Sequence, residues 1–277
     1  MSELVVPLLY VLLAWWFSTG LIVFLDSLPR RTYRWSLLGA SVVTALAVAA
    51  VLTSSTRTDA GGAYLGFTGG LVVWGWLEMT YLMGFLTGPW TRPCPRDARG
   101  LRRFLLAIGT SLWHELAVVA CGVALLAVTA GAPNRTAAWT FLVLWLMRWS
   151  SKLNIYLGVP NLNEEFLPEQ LDYLKSFITR RAMNWLFPVA VTVATLVTGA
   201  LVAAALAAPP GSHTASACAL LAALSALGLL EHWFLVLPLE DAALWRWALT
   251  LRRRERDDSP GIAATVGVAK ELEGGAR

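Results

Sequence analysis

Residues 5–25 read VVPLLYVLLAWWFSTGLIVFL, 21 residues without a charge. At 1.5 Å per residue such a run crosses about 30 Å of hydrocarbon as one helix. It is too long for the core of a signal peptide, and neither a basic segment before it nor a small-residue cleavage site after it is present, so it reads as a retained span. Six further apolar runs follow, at 36–53, 64–88, 104–130, 137–153, 184–208 and 215–238. The chain is 57% apolar and 14% charged over 277 residues. A soluble domain carries roughly 25% charged residues. The expected fold is therefore all-α, a polytopic membrane bundle of about seven transmembrane helices.

Charge sets the expected orientation. Arg30, Arg31 and Arg34 follow the first run, and Arg92 to Arg103 follow the third. Arg148 to Arg181 surround the loop after the fifth, and Arg246 to Arg277 follow the seventh. Of 22 Lys and Arg, only Arg57 and Arg135 fall in the alternate loops. The positive-inside rule places the N-terminus outside and the C-terminus in the cytoplasm. The same bias explains the basic pI, and the short Arg clusters at span ends are not a nucleic-acid surface.

No internal repeat and no second domain is visible. Residues 1–251 read as one integral membrane unit, including a cytoplasmic loop at 151–183, and residues 252–277 read as a mobile charged tail. Within the loop, Pro160, Asn161 and Asn163 predict a turn, and Pro168 suits the first turn of a helix. Leu167, Leu171, Leu174 and Ile178 then recur at helical spacing opposite Glu169, Asp172 and Lys175. This predicts an amphipathic helix, lying on the membrane or packed under the bundle. Cys94, Cys121 and Cys218 are scattered and form no metal or disulfide pattern. Most of the 14 Trp fall near span ends, where interfacial belts account for them. Trp74 and Trp76 lie deeper, and either pack in the core or flank a flat pigment.

Five ionisable residues interrupt the apolar runs: Glu78, His114, Glu115, Glu231 and His232. A charge at the bilayer centre costs roughly 2.5–3.5 kcal/mol on insertion scales. Counting residues from the cytoplasmic ends puts all five about 9–15 Å inside the membrane, in one layer. Tyr81, one turn after Glu78, adds a phenol. Three readings fit. The first is a buried Glu–His network that fixes helix register. The second is a metal site of Glu78, His114, Glu115, Glu231 and His232 for Zn or Fe. Adjacent helical residues point about 100° apart, which works against His114 and Glu115 sharing an ion. The Glu-x-x-His pattern of di-iron bundles is missing. The third is axial ligation of a tetrapyrrole such as bacteriochlorophyll by His114 or His232. His213 reads as an exposed loop residue without a role. Without a lysine in the seventh run there is no retinal linkage, and no phosphate-binding glycine motif or serine triad appears.

Several strings carry a family likeness: WFSTGLIVFLDSLPRRTYRWS at 16–36, SLWHEL at 111–116, RWSSKLNIYLGVPNLNEEFLPEQLDYLKSF at 148–177, and RRAMNWLFPV at 180–189. Together they resemble the PuhE-type photosynthetic complex assembly proteins of purple phototrophic bacteria. Asp26, Pro29, Arg30, Arg31, His114, Glu115, Arg148, Lys152 and Asn154 are family-like positions, as are the residues of the NLNEEFLPE string. The family pattern has a His after the Pro–Glu pair, where this chain has Gln170. The resemblance implies a multi-pass protein of the bacterial inner membrane, without a catalytic motif. Such a protein helps to assemble the reaction-centre and light-harvesting complex and handles or modulates bacteriochlorophyll. Its partners would be photosynthetic complex subunits or pigment and membrane lipids, met through Asn161, Asn163, Glu164 and Glu165. The alternative is a membrane enzyme that uses a Glu/His metal site on a lipophilic substrate, a tetrapyrrole or quinone.

Overall fold

A computed structural model describes residues 2–161 and 167–237. The tail at 252–277, with Asn163, Glu164 and Glu165, lies outside the described residues. Within them the chain forms eight α-helices: α1 (Ser2–Asp26), α2 (Tyr33–Ser54), α3 (Ala60–Leu82), α4 (Gly100–Gly109), α5 (Leu112–Val128), α6 (Thr136–Leu157), α7 (Leu186–Ala207) and α8 (His213–Phe234). Four segments are long and apolar enough to cross a membrane: Leu4–Asp26, Arg30–Ser54, Leu186–Ala207 and His213–Phe234. The pair α4 and α5, bent by 64°, makes a fifth if it is one span.

Helix α3 is the centre of the bundle. Its Val73, Trp74 and Leu77 join Val118 of α5 and Phe141 of α6 in one core. Its Ala63 and Phe67 join Val11 of α1 and Leu220, Leu224 and Leu227 of α8 in another. Gly70 lets α6 come close, because a Cβ there would stand 2.5 Å from the Ala137 carbonyl oxygen. Position in the bundle decides how much of each helix is covered. The most apolar window of α8 is 67% buried, against 6% for the segment Arg30–Ser54 that contains α2. Leu38, Val42, Val43, Leu46 and Leu52 of α2 face outward, while Val51 joins the core.

Two expectations need correcting. The run at 104–130 is not one straight helix. Residues 87–90 press on its break: Trp90 N donates to Gly109 O and His114 N donates to Thr87 O, so backbone groups freed by the bend are satisfied from outside. Gly88 makes this contact possible, since a Cβ there would lie 2.1 Å from Gly109 O. The loop segment after Pro168 is a 3-10 helix, Glu169–Phe177, and not an α-helix. At three residues per turn, Leu171, Leu174 and Phe177 share one face. Leu171 and Phe177 are buried, and the segment is pinned beneath the bundle. Arg103 Nη2 donates to Phe177 O at 2.7 Å, and Gln170 Nε2 donates to Leu82 O at 2.6 Å.

Three asparagines tie helix ends together. Asn184 Nδ2 donates to the carbonyls of Asn154 and Gly158 at the end of α6, and its Oδ1 accepts from the amides of Leu186 and Phe187 at the start of α7. Asn134 Nδ2 donates to Ser54 O and Gly62 O. Asn161 Nδ2 donates to the carbonyls of Phe234 and Leu237 at the end of α8. Each ties the backbone of one helix end to another part of the chain.

Candidate functional site

The bend between α4 and α5 positions the site. It places His114 and Glu115 in the first turn of α5, where a helix N-terminus favours a carboxylate. From α3, Glu78 and Tyr81 face the same region. From α6, Arg148 and Lys152 enter it, one helical turn apart. Arg148 Nη1 pairs with Glu78 Oε2. Lys152 Nζ lies 2.5 Å from Glu115 Oε1 and 3.3 Å from Ser111 Oγ. Tyr81 lies under both cations, with Arg148 Cζ and Lys152 Nζ each 5.3 Å from its ring centroid. Its ring also lies 4.7 Å from that of His114.

His114 is fully buried. Its Nε2 lies 4.0 Å from Glu78 Oε1, too far for a hydrogen bond. Both ring nitrogens, and Glu78 Oε1, have no hydrogen-bond partner. Of the two histidines expected to hold a cofactor, His114 is thus the one with an uncommitted ring, enclosed behind Glu78 and Tyr81.

His232 is committed. Its Nδ1 lies 2.7 Å from Gly228 O and its Nε2 lies 2.8 Å from Ser150 Oγ. A carbonyl only accepts, so Nδ1 carries the proton and Nε2 takes the Ser150 hydroxyl. That leaves no lone pair for an axial ligand. Glu231, the adjacent residue, turns the other way and accepts from Trp15 Nε1 at 2.9 Å.

These five residues are therefore not gathered around one point. Glu78, His114 and Glu115 meet, Glu231 leaves towards α1, and His232 leaves towards Ser150. Among the described residues, no three His, Cys, Asp or Glu side chains are grouped as a metal ion would need. The carboxylates are instead balanced by cations. Sequence reasoning assigned Arg148 and Lys152 to membrane orientation and to the family likeness, and not to pairing with these acids. Their i, i+4 spacing, inside a run that faces two spans with one glutamate each, was the available signal.

The deeper tryptophans do different things. Trp74 packs edge-on against Phe141, with centroids 5.3 Å apart. Trp76 Nε1 donates to Ser41 Oγ. They diverge rather than sandwich a flat group. His213 is half-buried with Nε2 3.4 Å from Thr136 Oγ1, so it joins the starts of α6 and α8 rather than standing free in a loop. Asn161, expected to meet a partner, is used inside the chain to cap α8. Gln170 reaches Asp26 Oδ1 at 3.2 Å as well as Leu82 O. The position where the family pattern has His is thus a hydrogen-bonding link between the loop and the ends of α1 and α3.

Beside the ion pairs lies a cleft of roughly 370 Å³ between α1, α3, α6 and α8. Small-molecule sites occupy roughly 300–1,000 Å³. Glu78 and Arg148 form part of one wall, and Leu71, Leu144, Leu224 and Leu227 form the apolar remainder. Asp26 stands at one end and Glu231 with Trp15 at the other.

Comparison with known proteins supplies a family. The family model described as "Protein of unknown function (DUF3623)" matches residues 1–256. A Rhodobacter capsulatus protein, described as an uncharacterized 30.4 kDa protein in the puhA 5' region, is 38% identical over 246 residues. The match covers 87% of this chain and 89% of that protein. No solved structure matches.

Proposed function

The chain belongs to the DUF3623 family, and from that premise we propose that it is a PuhE-type assembly factor for the bacterial photosynthetic reaction-centre and light-harvesting complex. It works in the inner membrane, in contact with subunits of that complex or with its bacteriochlorophyll, and catalyses no reaction of its own. The observation that carries this reading is the relative in the puhA 5' region, a photosynthesis gene region, aligned along 89% of its length.

Seven spans fit this reading. Four helices and the bent pair make five. Helices α3 and α6, with 23 and 22 residues, are as long as the others. They fall short in apolarity, α3 through its glycines, tryptophans and Glu78 and α6 through Arg148 and Lys152, and these charges are balanced within the bundle, Arg148 by Glu78 and Lys152 by Glu115 of α5. A buried charge set of this kind suits a scaffold that must hold α3, α5 and α6 in fixed register while its outer helices meet other proteins and lipid. With the arginine-rich loops in the cytoplasm, the 3-10 segment and the NLNEEFLPE string lie on the inner face. There Asn163, Glu164 and Glu165 would meet a partner.

The test is a clean deletion in a phototrophic host. Assembled reaction-centre absorbance falls while unrelated membrane proteins insert normally, and a plasmid copy restores it. Complex at parental levels in the deletion strain overturns the proposal.

A further inference from the structure

The cleft between α1, α3, α6 and α8 leaves hydrogen-bond donors unused. Its carboxylates are engaged: Glu78 faces Arg148, Glu231 accepts from Trp15 Nε1, and Asp26 Oδ1 accepts from Gln170 Nε2. Hydroxyls inside an apolar helix commonly bond back to a carbonyl one turn earlier, as those of Ser41, Thr44 and Thr195 do. Thr19 of α1 and Ser151 of α6 differ. Both line the cleft, both are half-buried, and among the described residues neither hydroxyl has a partner. Arg148 lies about one turn before Ser151, on the same face of α6. Its Nη1 pairs with Glu78, and its Nε is enclosed. Its Nη2 has no acceptor and is not enclosed, in a side chain 22% exposed.

Donors thus border one apolar space, and this selects the chemistry of what can fill it. A bare hydrocarbon would bury them unpaired, at a cost. An anion would need a cation of its own, and the charge of Arg148 is already balanced by Glu78. A neutral compound with a carbonyl meets the need, because a carbonyl oxygen only accepts and has two lone pairs. The volume, roughly 370 Å³, is near the lower end of the range for small-molecule sites. It suits a chain or a single ring and is too small for a whole tetrapyrrole.

We propose that the cleft binds a neutral lipophile with a carbonyl group. The oxygen is held by Arg148 and by the Thr19 or Ser151 hydroxyl, and the apolar body lies along Leu71, Leu144, Leu224 and Leu227. Two sources share this chemistry, a quinone ring and the ester of a long-chain alcohol. The site goes beyond the assembly reading and does not depend on it.

The test uses the full chain in nanodiscs of ether-linked phosphatidylcholine, a lipid without carbonyl groups. Binding is measured against empty nanodiscs for decylbenzoquinone with decylbenzene as its control, and for hexadecyl acetate with octadecane as its control. At least one carbonyl compound binds about tenfold or more tighter than its control, and whichever does so names the source. The double variant Thr19→Val with Ser151→Ala breaks no hydrogen bond within the protein, so it keeps its melting temperature and loses most of that preference. The variant Gly75→Leu fills the cleft, because Gly75 lines it and a Cβ there meets only Ile22 Cδ1, at 3.7 Å. It keeps its melting temperature and loses binding. Equal binding of both carbonyl compounds and their controls overturns the proposal. An unchanged preference in the double variant, or full binding by Gly75→Leu, overturns it as well.

Discussion

Lys152 of α6 and Glu115 of α5 are joined at 2.5 Å across a helix interface, and neither belongs to the part of its run that makes a helix apolar. Arg148, one turn earlier, does the same for Glu78 of α3. Helix α6 thus neutralises one acid from each of two neighbours. Removing one member leaves the other charge without its partner, which costs roughly 3–5 kcal/mol for a fully buried pair. The Lys152 side chain is 30% exposed, so Lys152→Met is expected at or below the low end of that range. The double variant Lys152→Met with Glu115→Gln recovers most of the loss. Thermal melting of the three variants in one detergent checks this, and a double variant less stable than both singles contradicts it.

The ion pairs also mark what the sequence made legible. Apolar runs and the placement of Glu78, His114 and Glu115 in one layer could be read from spacing alone. The partners could not, because Arg148 and Lys152 near the end of a run already satisfied a simpler rule, that basic residues orient spans. Glu231 and His232 diverge because neighbouring helical positions point about 100° apart. Which direction each takes depended on Trp15 and Ser150 in distant helices. The bend at Thr110 and Ser111 was hidden for a similar reason. It depends on Gly88 and Trp90, about 20 residues earlier, and the local signal of Gly109, Thr110 and Ser111 was masked by the apolar run on either side. The 3-10 geometry of Glu169–Phe177 was ambiguous in sequence, since Leu171 and Leu174 fit both periods and only Phe177 favours three residues per turn.

Close approach of α3 and α6 makes Gly70 intolerant. A Cβ there would lie 2.5 Å from Ala137 O and 3.0 Å from Thr140 Cβ, and both belong to the facing helix. Gly70→Ala should cost about 1–3 kcal/mol as an overpacked contact. Gly75→Ala, on the same helix but facing the cleft, should be neutral or slightly stabilising, since Ala is the better helix former. Side-by-side melting curves decide. Equal losses at the two positions would mean that backbone freedom, and not the α6 contact, sets the requirement.

Asn184 should be among the least replaceable polar residues outside the ion pairs. It is 6% exposed and makes four hydrogen bonds that join the end of α6 to the start of α7. Asn184→Leu keeps the volume, removes an N-terminal cap and leaves buried carbonyls unpaired. Loss of a cap alone costs about 0.5–2 kcal/mol. Asn184→Asp should recover the cap and not the two donated bonds. Amide exchange then distinguishes them: protection at Leu186 and Phe187 falls in the Leu variant and returns in the Asp variant.

Asp59 begins α3 in the loop that follows α2, and its carboxylate takes two hydrogen bonds from Arg57, at 2.9 and 2.6 Å. These bonds hold its pKa down at about 2, against an ordinary value near 3.9 for an unperturbed aspartate. A depressed folded value stabilises the native loop at pH above the unfolded value, and that contribution is lost as pH falls through about 2. The loop should therefore keep its shape at every pH near neutrality. A carbon-detected titration of Asp59 gives its midpoint directly, and Arg57→Gln moves that midpoint up towards the ordinary range. A midpoint near 4 in the unmodified protein would show that solvent and salt screen this exposed pair, leaving the Asp59 contact with Gly62 to set the start of α3.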